Sequence, residues 1–142
     1  MPVALLDTNV LFASGSARDE YHDTAREIVQ AVDHGTLPGG IVTNYVLAET
    51  LNLTRERLGP DTATGMLDRL IEGAHFEVTH APQSDFNAAQ AIFRRYPELS
   101  FVDATIAAYM DREGIEYLYS FDEDFEAVEN LSRLETADDP FA

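Results

Sequence analysis

Four groups of acidic residues, spread over most of the chain, could together hydrolyse a phosphodiester. They are centred on Asp7, on Glu49, on Asp103 and on the pair Asp122 and Asp124. Carboxylate oxygens are the ligands that Mg²⁺ and Mn²⁺ prefer, and these ions activate water and stabilise a leaving oxygen. Carboxylates gathered without a cation repel one another, so the set predicts a bound divalent metal ion.

Asp7 stands directly after Val3–Leu6, an apolar run typical of a buried strand. Ligands of open α/β sheets bind beyond the carboxyl ends of the strands, so this position suits a catalytic acid. The alternative is that Asp7 only caps a short helix beginning at Thr8. The sequence leaves both interpretations open.

Glu49 lies inside a predicted helix that Asn44 can cap and that runs to about Leu58. Its neighbours three and four positions away are Tyr45, Val46, Asn52 and Leu53. Glu49 therefore borders the apolar face of this helix and does not point freely into water. The alternative is a boundary glutamate whose carboxylate extends to solvent.

Asp103 lies in the first turn of a helix predicted to begin at Ser100. These two residues have the spacing of a capping box, which is a purely structural function. Leu99, Ile106 and Ala107 share the helical face of Asp103 and so direct its carboxylate inward. An inward-facing acid needs a partner or a cation.

The fourth acidic group follows a predicted strand at Tyr117–Tyr119. Asp122 and Asp124 are both candidates, and we prefer Asp122. The alternative is an acid-rich loop that is only solvated. The position at a strand end favours a functional acid.

The elements that must position these acids alternate between strands and helices. The predicted strands are Val3–Leu6, Ile41–Val42, Phe76–Thr79, Tyr117–Tyr119 and Arg133–Leu134. The predicted helices are Asp19–Val32, Asn44–Leu58, Asp61–Ile71, Pro82–Tyr96, Ser100–Arg112 and Asp124–Val128. This alternation predicts an α/β fold with a mostly parallel sheet covered on both faces. We expect one domain over residues 1–135 and a frayed acidic tail over residues 136–142.

The charge of the chain is strongly negative. Twenty-six acidic residues oppose nine basic ones, all arginine, for a formal net charge of −17. This balance favours a halophilic cytoplasm, with a halophilic archaeon as the expected source, since molar salt mutes self-repulsion. GC-rich codon usage would explain arginine in place of lysine but not the excess of acids. So negative a field repels nucleic acid, and RNA binding would need local positive charge, metal ions or high salt.

The absence of cysteine and of long apolar segments excludes several classes of protein. The chain has no cysteine, which excludes disulfide scaffolds, thiolate nucleophiles and cysteine-ligated zinc or iron–sulfur sites. It has neither a long apolar run nor a signal-peptide pattern, so we expect a cytoplasmic protein without a membrane segment.

In order, spacing and chain length, the four acidic groups resemble those of the PIN-domain nucleases, especially the VapC-like toxins of bacteria and archaea. The matching motifs are Asp7-Thr8-Asn9, Glu49, Asp103 and Ser120-Phe121-Asp122-Glu123-Asp124-Phe125. The resemblance implies a three-layer α/β/α sandwich with a mostly parallel central sheet. It also implies that Asp7, Glu49, Asp103 and Asp122 hold Mg²⁺ or Mn²⁺ and cleave RNA, with Asp124 as the other candidate fourth acid. Asn9 and Ser120 match the polar residues that support the family's site.

The resemblance further implies a toxin of a type II toxin–antitoxin pair, with RNA as substrate, an antitoxin protein as partner and a homodimeric state. A housekeeping RNA-processing nuclease and a catalytically inactive PIN-like binding module are the alternatives. Receiver domains and haloacid dehalogenases also place acids at strand ends. The first class relies on a lysine, which this chain lacks, and the second needs an acid where Asn9 stands.

Overall fold

The computed structural model describes residues 2–142 and arranges them as one parallel sheet between helices. Its elements, in chain order, are β1 (Val3–Leu6), α1 (Thr8–Gly15), α2 (His22–Asp33), β2 (Gly39–Thr43), α3 (Asn44–Leu58), α4 (Pro60–Glu72), β3 (Phe76–Thr79), α5 (Gln83–Arg95), α6 (Phe101–Glu113), β4 (Tyr117–Tyr119), a 3-10 turn (Glu123–Ala127) and β5 (Ser132–Leu134). Over the described residues, five strands pair in the order β3-β2-β1-β4-β5, and every neighbouring pair is parallel. The fold is the expected three-layer α/β/α sandwich.

The central strand β1 is apolar because helices cover both of its faces. Ala4, Leu5 and Leu6 have no exposed surface, as expected for a parallel strand in the middle of a sheet. The neighbouring strand β2 approaches closely at Gly40. A Cβ atom there would lie 2.8 Å from Cδ1 of Leu6, so a larger residue would push the strand away from the core.

The order of the strands creates a crevice at the carboxyl ends of β1 and β4. From β1 the chain moves outward to β2 and β3, and then returns through α5 and α6 to β4 on the other side of β1. Ligands of open α/β sheets bind at such a reversal of strand order. The amide of Asp7 donates to the carbonyl of Tyr119 at 3.1 Å, so both strands end at this point.

Most element positions predicted from the sequence are confirmed, but the start of α2 and the capping residue of α3 are wrong. Helix α1 is present although the sequence indicated it only as the alternative in which Asp7 caps a short helix. The strands Val3–Leu6, Phe76–Thr79 and Tyr117–Tyr119 have the predicted bounds. Helix α2 begins at His22 rather than at Asp19, because Oδ1 of Asp19 accepts the amide of Tyr21 and holds a turn there. Thr43, and not Asn44, caps α3.

The capping error has a clear cause. Oγ1 of Thr43 accepts the amide of Val46 at 3.3 Å, whereas Oδ1 of Asn44 accepts the amide of Ala81 at 2.8 Å. Asn44 therefore ties the start of α3 to the segment after β3. A sequence pattern cannot distinguish these two uses of neighbouring polar residues.

The acidic tail does not fray as expected but packs against β4. The Tyr119 hydroxyl donates to the carbonyl of Asp138 at 2.7 Å, and the ring of Phe141 meets that of Tyr117 edge-on at 5.2 Å. The two aromatic residues of β4 thus hold the last residues of the chain in place.

Helices long and apolar enough to cross a membrane do not occur between residues 2 and 142.

Candidate active site

Asp7 is the most firmly held acid of the site. It caps α1 through Oδ1, which accepts the amide of Thr8 at 2.8 Å. Its Oδ2 accepts the hydroxyl of Ser120 at 2.7 Å and the side-chain amide of Asn9 at 3.2 Å. The residue is only 4% exposed. Asp7 is therefore a helix cap and also a buried carboxylate at the carboxyl end of the central strand.

Ser120 and Asn9 join the loop after β4 to the start of α1. Oγ of Ser120 also accepts the amide of Asp122 at 3.1 Å and the Asn9 side-chain amide at 3.3 Å. Oδ1 of Asn9 accepts the amide of Phe121 at 3.2 Å. These bonds fix the backbone that carries Asp122 relative to Asp7.

Arg133 supports the same loop from β5, a role that no sequence pattern indicated. Its Nη1 donates to the carbonyl of Ser120 at 3.2 Å, while the guanidinium pairs with Glu126 at 2.7 Å and with Glu135 at 3.2 Å. Its side chain is 7% exposed, and its Nε is buried without an acceptor among the described residues. The contact depends on the parallel pairing of β5 with β4, which a local pattern does not predict.

Asp103 forms the capping box predicted at the start of α6. The Ser100 amide donates to Oδ2 of Asp103, and the Asp103 amide donates to Oγ of Ser100, both at 3.1 Å. The box uses only one oxygen of the half-buried carboxylate. The structural and functional interpretations of Asp103 are therefore compatible.

Glu49 lies exposed on the second turn of α3, so the expectation that it does not point into water is wrong and the alternative of a boundary glutamate that extends to solvent fits the structure. Next to it lies a residue that fastens this helix to α1. That residue, Thr50, is fully buried, and its hydroxyl donates to Oγ1 of Thr8 at 3.3 Å. This hydrogen bond holds the turn of α3 that carries Glu49 against the start of α1. The first residue of α1, Thr8, directly follows Asp7 in the chain. No sequence pattern indicated this contact between Thr50 and Thr8.

The electrostatics of the site reflect crowded negative charge. The pKa of Asp7 is raised to about 7, chiefly by burial and to a smaller extent by the charges of Asp103 and Glu49, while the hydrogen bonds from Ser120 and Thr8 lower it. Burial likewise raises the pKa of Asp103 to about 6, with added repulsion from Asp122 and Glu49 and an opposing effect of the Ser100 capping bonds. Each of these carboxylates is less easily ionised because of the others.

The four preferred acids thus act on one another, whereas Asp124 lies to one side. Asp124 is exposed, and its pKa is raised chiefly by the charge of Asp122. Asp122 is partly buried, and its Oδ1 caps the 3-10 turn by accepting the amide of Asp124 at 2.9 Å. The charge of Asp122 is among the causes that raise the pKa of Asp103.

Residues 2–142 contain no group of three histidine or acidic side chains close enough to hold one metal ion together. The charge of Asp103 raises the pKa of Asp7, and carboxylates that repel in this way are expected to stand apart without a cation. Mg²⁺ keeps several waters and commonly takes only one or two protein carboxylates directly. The all-oxygen donor set therefore fits such an ion, with the other acids acting through water.

Comparisons with known proteins identify the family of the chain. The PIN domain family model matches residues 4–131. The 23S rRNA-specific endonuclease VapC20 of Mycobacterium tuberculosis is 32% identical over 124 residues, covering 87% of this chain and 92% of that protein. The crystal structure of the same Mycobacterium tuberculosis protein, a sarcin-ricin loop cleaving toxin, matches with a TM-score of 0.74 and 31% identity, covering 88% of this chain and 93% of that one.

A toxin–antitoxin complex from Klebsiella pneumoniae has the same fold, with a TM-score of 0.63 and 21% identity over 91% of this chain and 95% of that one. The family match spans every element from β1 to the loop before β5. The chain belongs to the PIN-domain family and, within it, to the VapC-like nucleases.

Proposed function

We propose that this protein is an endoribonuclease that depends on Mg²⁺ or Mn²⁺, which Asp7, Glu49, Asp103 and Asp122 hold directly or through water. The observation that carries the proposal is the placement of Asp7 and the Asp122 loop at the sheet's reversal of strand order, where Ser120 and Asn9 hydrogen-bond to the Asp7 carboxylate. Burial, with a smaller effect of neighbouring negative charge, raises the pKa of Asp7 and of Asp103, as is common in functional sites, and a divalent cation would relieve the repulsion.

Hydrogen bonds hold two of the proposed ligands, Asp7 and Asp103, in place. When bound, the ion activates water and stabilises charge on the phosphate. Asp7 presents a carboxylate whose direction is fixed by the Thr8 amide, the Ser120 hydroxyl and the Asn9 amide. Asp103 is anchored through Oδ2, which accepts the Ser100 amide and leaves Oδ1 outside the capping box.

The biological role that we propose is that of a toxin paired with an antitoxin. VapC20, which is 32% identical, is a 23S rRNA-specific endonuclease, so ribosomal RNA is the substrate that we favour. The fold-level match to a toxin–antitoxin complex supports a protein partner. The alternatives are a housekeeping RNA-processing nuclease and an inactive PIN-like binding module.

A homodimer is part of the same proposal. Phe86 and Phe93 on α5 are 41% and 46% exposed, and each packs edge-on against Phe101 of α6 at 5.7 Å. Exposed apolar clusters of this kind mark interaction surfaces in otherwise polar proteins. Light scattering should give the mass of a dimer for the wild type and of a monomer for a Phe86→Ser, Phe93→Ser variant. A wild-type monomer would contradict the homodimer.

The function is tested by incubating the purified protein with ribosomal RNA. We expect cleavage with Mg²⁺ or Mn²⁺, none with EDTA, and recovery when the metal is restored. Asp7→Asn should be inactive under every condition, while Asp68→Asn, which changes an exposed acid on α4, should cleave like wild type. Cleavage undiminished by EDTA would reject the mechanism. Binding of RNA without cleavage would favour the inactive module.

A further inference from the structure

Two aromatic rings form a stack at the rim of the carboxylate site. Tyr21 comes from the loop between α1 and α2, and Phe121 directly follows Ser120. Their ring centroids lie 4.4 Å apart and their planes differ by 11°. Phe121 covers one face of the Tyr21 ring, yet Tyr21 remains 44% exposed.

The stack is attached to the same framework as the acids. The Phe121 amide donates to Oδ1 of Asn9, and the Asn9 side-chain amide donates to Oδ2 of Asp7. Phe121 also lies between Ser120 and Asp122 in the chain. The ring of Phe121 is therefore carried by backbone that the site's hydrogen bonds hold in place.

The turn before α2 fixes Tyr21 in the same way. Its amide donates to Oδ1 of Asp19 at 2.9 Å, and its carbonyl accepts the amide of Ala25 at 2.8 Å. The ring is thus ordered before any ligand arrives, which lowers the entropic cost of binding.

We propose that the outer face of Tyr21 stacks on a nucleobase of single-stranded RNA whose backbone passes the carboxylates. This inference rests on the proposed ribonuclease function and identifies a nucleobase as a part of the substrate that the protein binds. A base laid on Tyr21 would extend the stack to three rings, with Phe121 as its innermost member.

The charge of the chain favours stacking as the source of affinity. The net charge is −17, and Arg69, Arg112 and Arg133 are already paired with acids. RNA-binding proteins usually obtain much of their affinity from basic residues on phosphates, which this protein can supply only sparingly. Base–aromatic stacking contributes about 1–3 kcal/mol per base without requiring positive charge.

The size of the surface favours a base over a protein partner. The stack presents one exposed ring, and the exposed Glu20 and Asp23 lie beside it in the chain. Stable protein interfaces bury about 800 Å² on each side, far more than one ring offers. One nucleobase, in contrast, matches a single aromatic face.

The test compares RNA with and without bases. Binding is measured with Mg²⁺ in about 1 M KCl, where the Debye length is about 3 Å and long-range repulsion is screened. The parent protein is Asp103→Asn, so that the RNA stays intact. The ligands are an oligoadenylate of about 12 nucleotides and a ribose-phosphate chain of equal length without bases. Tyr21→Leu removes the aromatic face, and Tyr21→Phe keeps it.

We expect Tyr21→Leu to weaken oligoadenylate binding about five- to hundredfold and to leave binding of the base-free chain unchanged. Tyr21→Phe should bind both ligands like the parent, and circular dichroism should show the same fold for all three proteins. An equal loss for both ligands, no loss for either, or no binding of oligoadenylate by the parent would each overturn the proposal. The proposed ribonuclease function is tested independently, because it is wrong if the protein with Asp103 intact does not cleave RNA.

Discussion

Asp7 shows how one carboxylate can serve a fold and a reaction together. Its Oδ1 caps α1, its Oδ2 is held by Ser120 and Asn9, and its burial makes ionisation costly. Loss of charge at this residue should therefore favour the metal-free fold while removing a ligand. We therefore expect a neutral substitution of Asp7 to raise the stability of the metal-free protein and to lower its metal-dependent activity.

The stability of the metal-free protein should fall as pH rises from about 4 to about 7. Asp7 and Asp103 have folded-state pKa values of about 7 and about 6, above the ordinary value of 3.8. Between these limits the folded state binds more protons than the unfolded state, so raising the pH favours unfolding. Urea denaturation at a series of pH values, with EDTA present, measures the slope.

Asp7→Asn should flatten this pH dependence, whereas the exposed Asp68→Asn on α4 should leave it unchanged. Saturating Mg²⁺ should also flatten it, because the ion stabilises the ionised carboxylates. A wild-type stability that rises with pH over this range would contradict the raised pKa values.

The sequence was most informative about the acids that are tied to local structure. The apolar run before Asp7 and the box of Ser100 and Asp103 are neighbours along the chain, and both were predicted correctly as local features. Arg133 and the pairing of Tyr21 with Phe121 depend on contacts between distant segments. No local spacing encodes these contacts, so they became visible only in the fold.

At the scale of elements, the antiparallel pair α5 and α6 delivers Asp103 to the site. A buried ion pair joins these helices: Nε of Arg112 donates to Oδ1 of Asp85 at 2.6 Å, and Nη2 donates to Oδ2 at 3.1 Å. The Asp85 side chain is 2% exposed and that of Arg112 is 37% exposed. The pair links the first turn of α5 to the last turn of α6.

Asp85→Ala should lower the free energy of unfolding by about 2 kcal/mol, because it removes two charge-assisted hydrogen bonds at a buried position. The matched control is Asp33→Ala, which breaks an exposed pair with Arg69 and should cost at most about 1 kcal/mol. Urea denaturation of the two variants gives both values. If Asp85→Ala lowers the free energy of unfolding no more than Asp33→Ala does, the ion pair does not hold α5 and α6 together.

Element positions followed from apolar patterns wherever the helix or strand was long or bounded by glycine or proline. Helix α6, for example, was predicted to end at Arg112 and ends at Glu113, one residue before Gly114, whose φ of +68° suits glycine. The errors arose where polar residues had competing uses. Asp19 formed a turn, Asn44 bonded to Ala81, and the tail was held by aromatic residues of β4.

At the scale of the whole molecule, the net charge of −17 should make stability depend strongly on salt. Shortening the Debye length from about 10 Å at 0.1 M to about 3 Å at 1 M screens repulsion between exposed acids. We expect the melting temperature to rise steadily from dilute buffer to molar KCl. A melting temperature indifferent to KCl would contradict the halophilic hypothesis without affecting the assignment of the fold.

The measurement that tests the central claim most directly combines melting curves, with and without Mg²⁺, and RNA cleavage for wild type, Asp103→Asn and Ser100→Ala. Asp103→Asn should be inactive yet at least as stable as wild type without metal, since asparagine can still accept the Ser100 amide and one repelling charge is gone. Mg²⁺ at a hundredfold excess over its dissociation constant should stabilise wild type by about 2.7 kcal/mol and Asp103→Asn distinctly less.

Ser100→Ala is the matched control, because it breaks the capping box and keeps the carboxylate. It should lose about 1 kcal/mol of stability and retain cleavage. If Asp103→Asn is instead destabilised, fully active and stabilised by Mg²⁺ as much as wild type, Asp103 is only a helix cap and the proposed metal site is wrong.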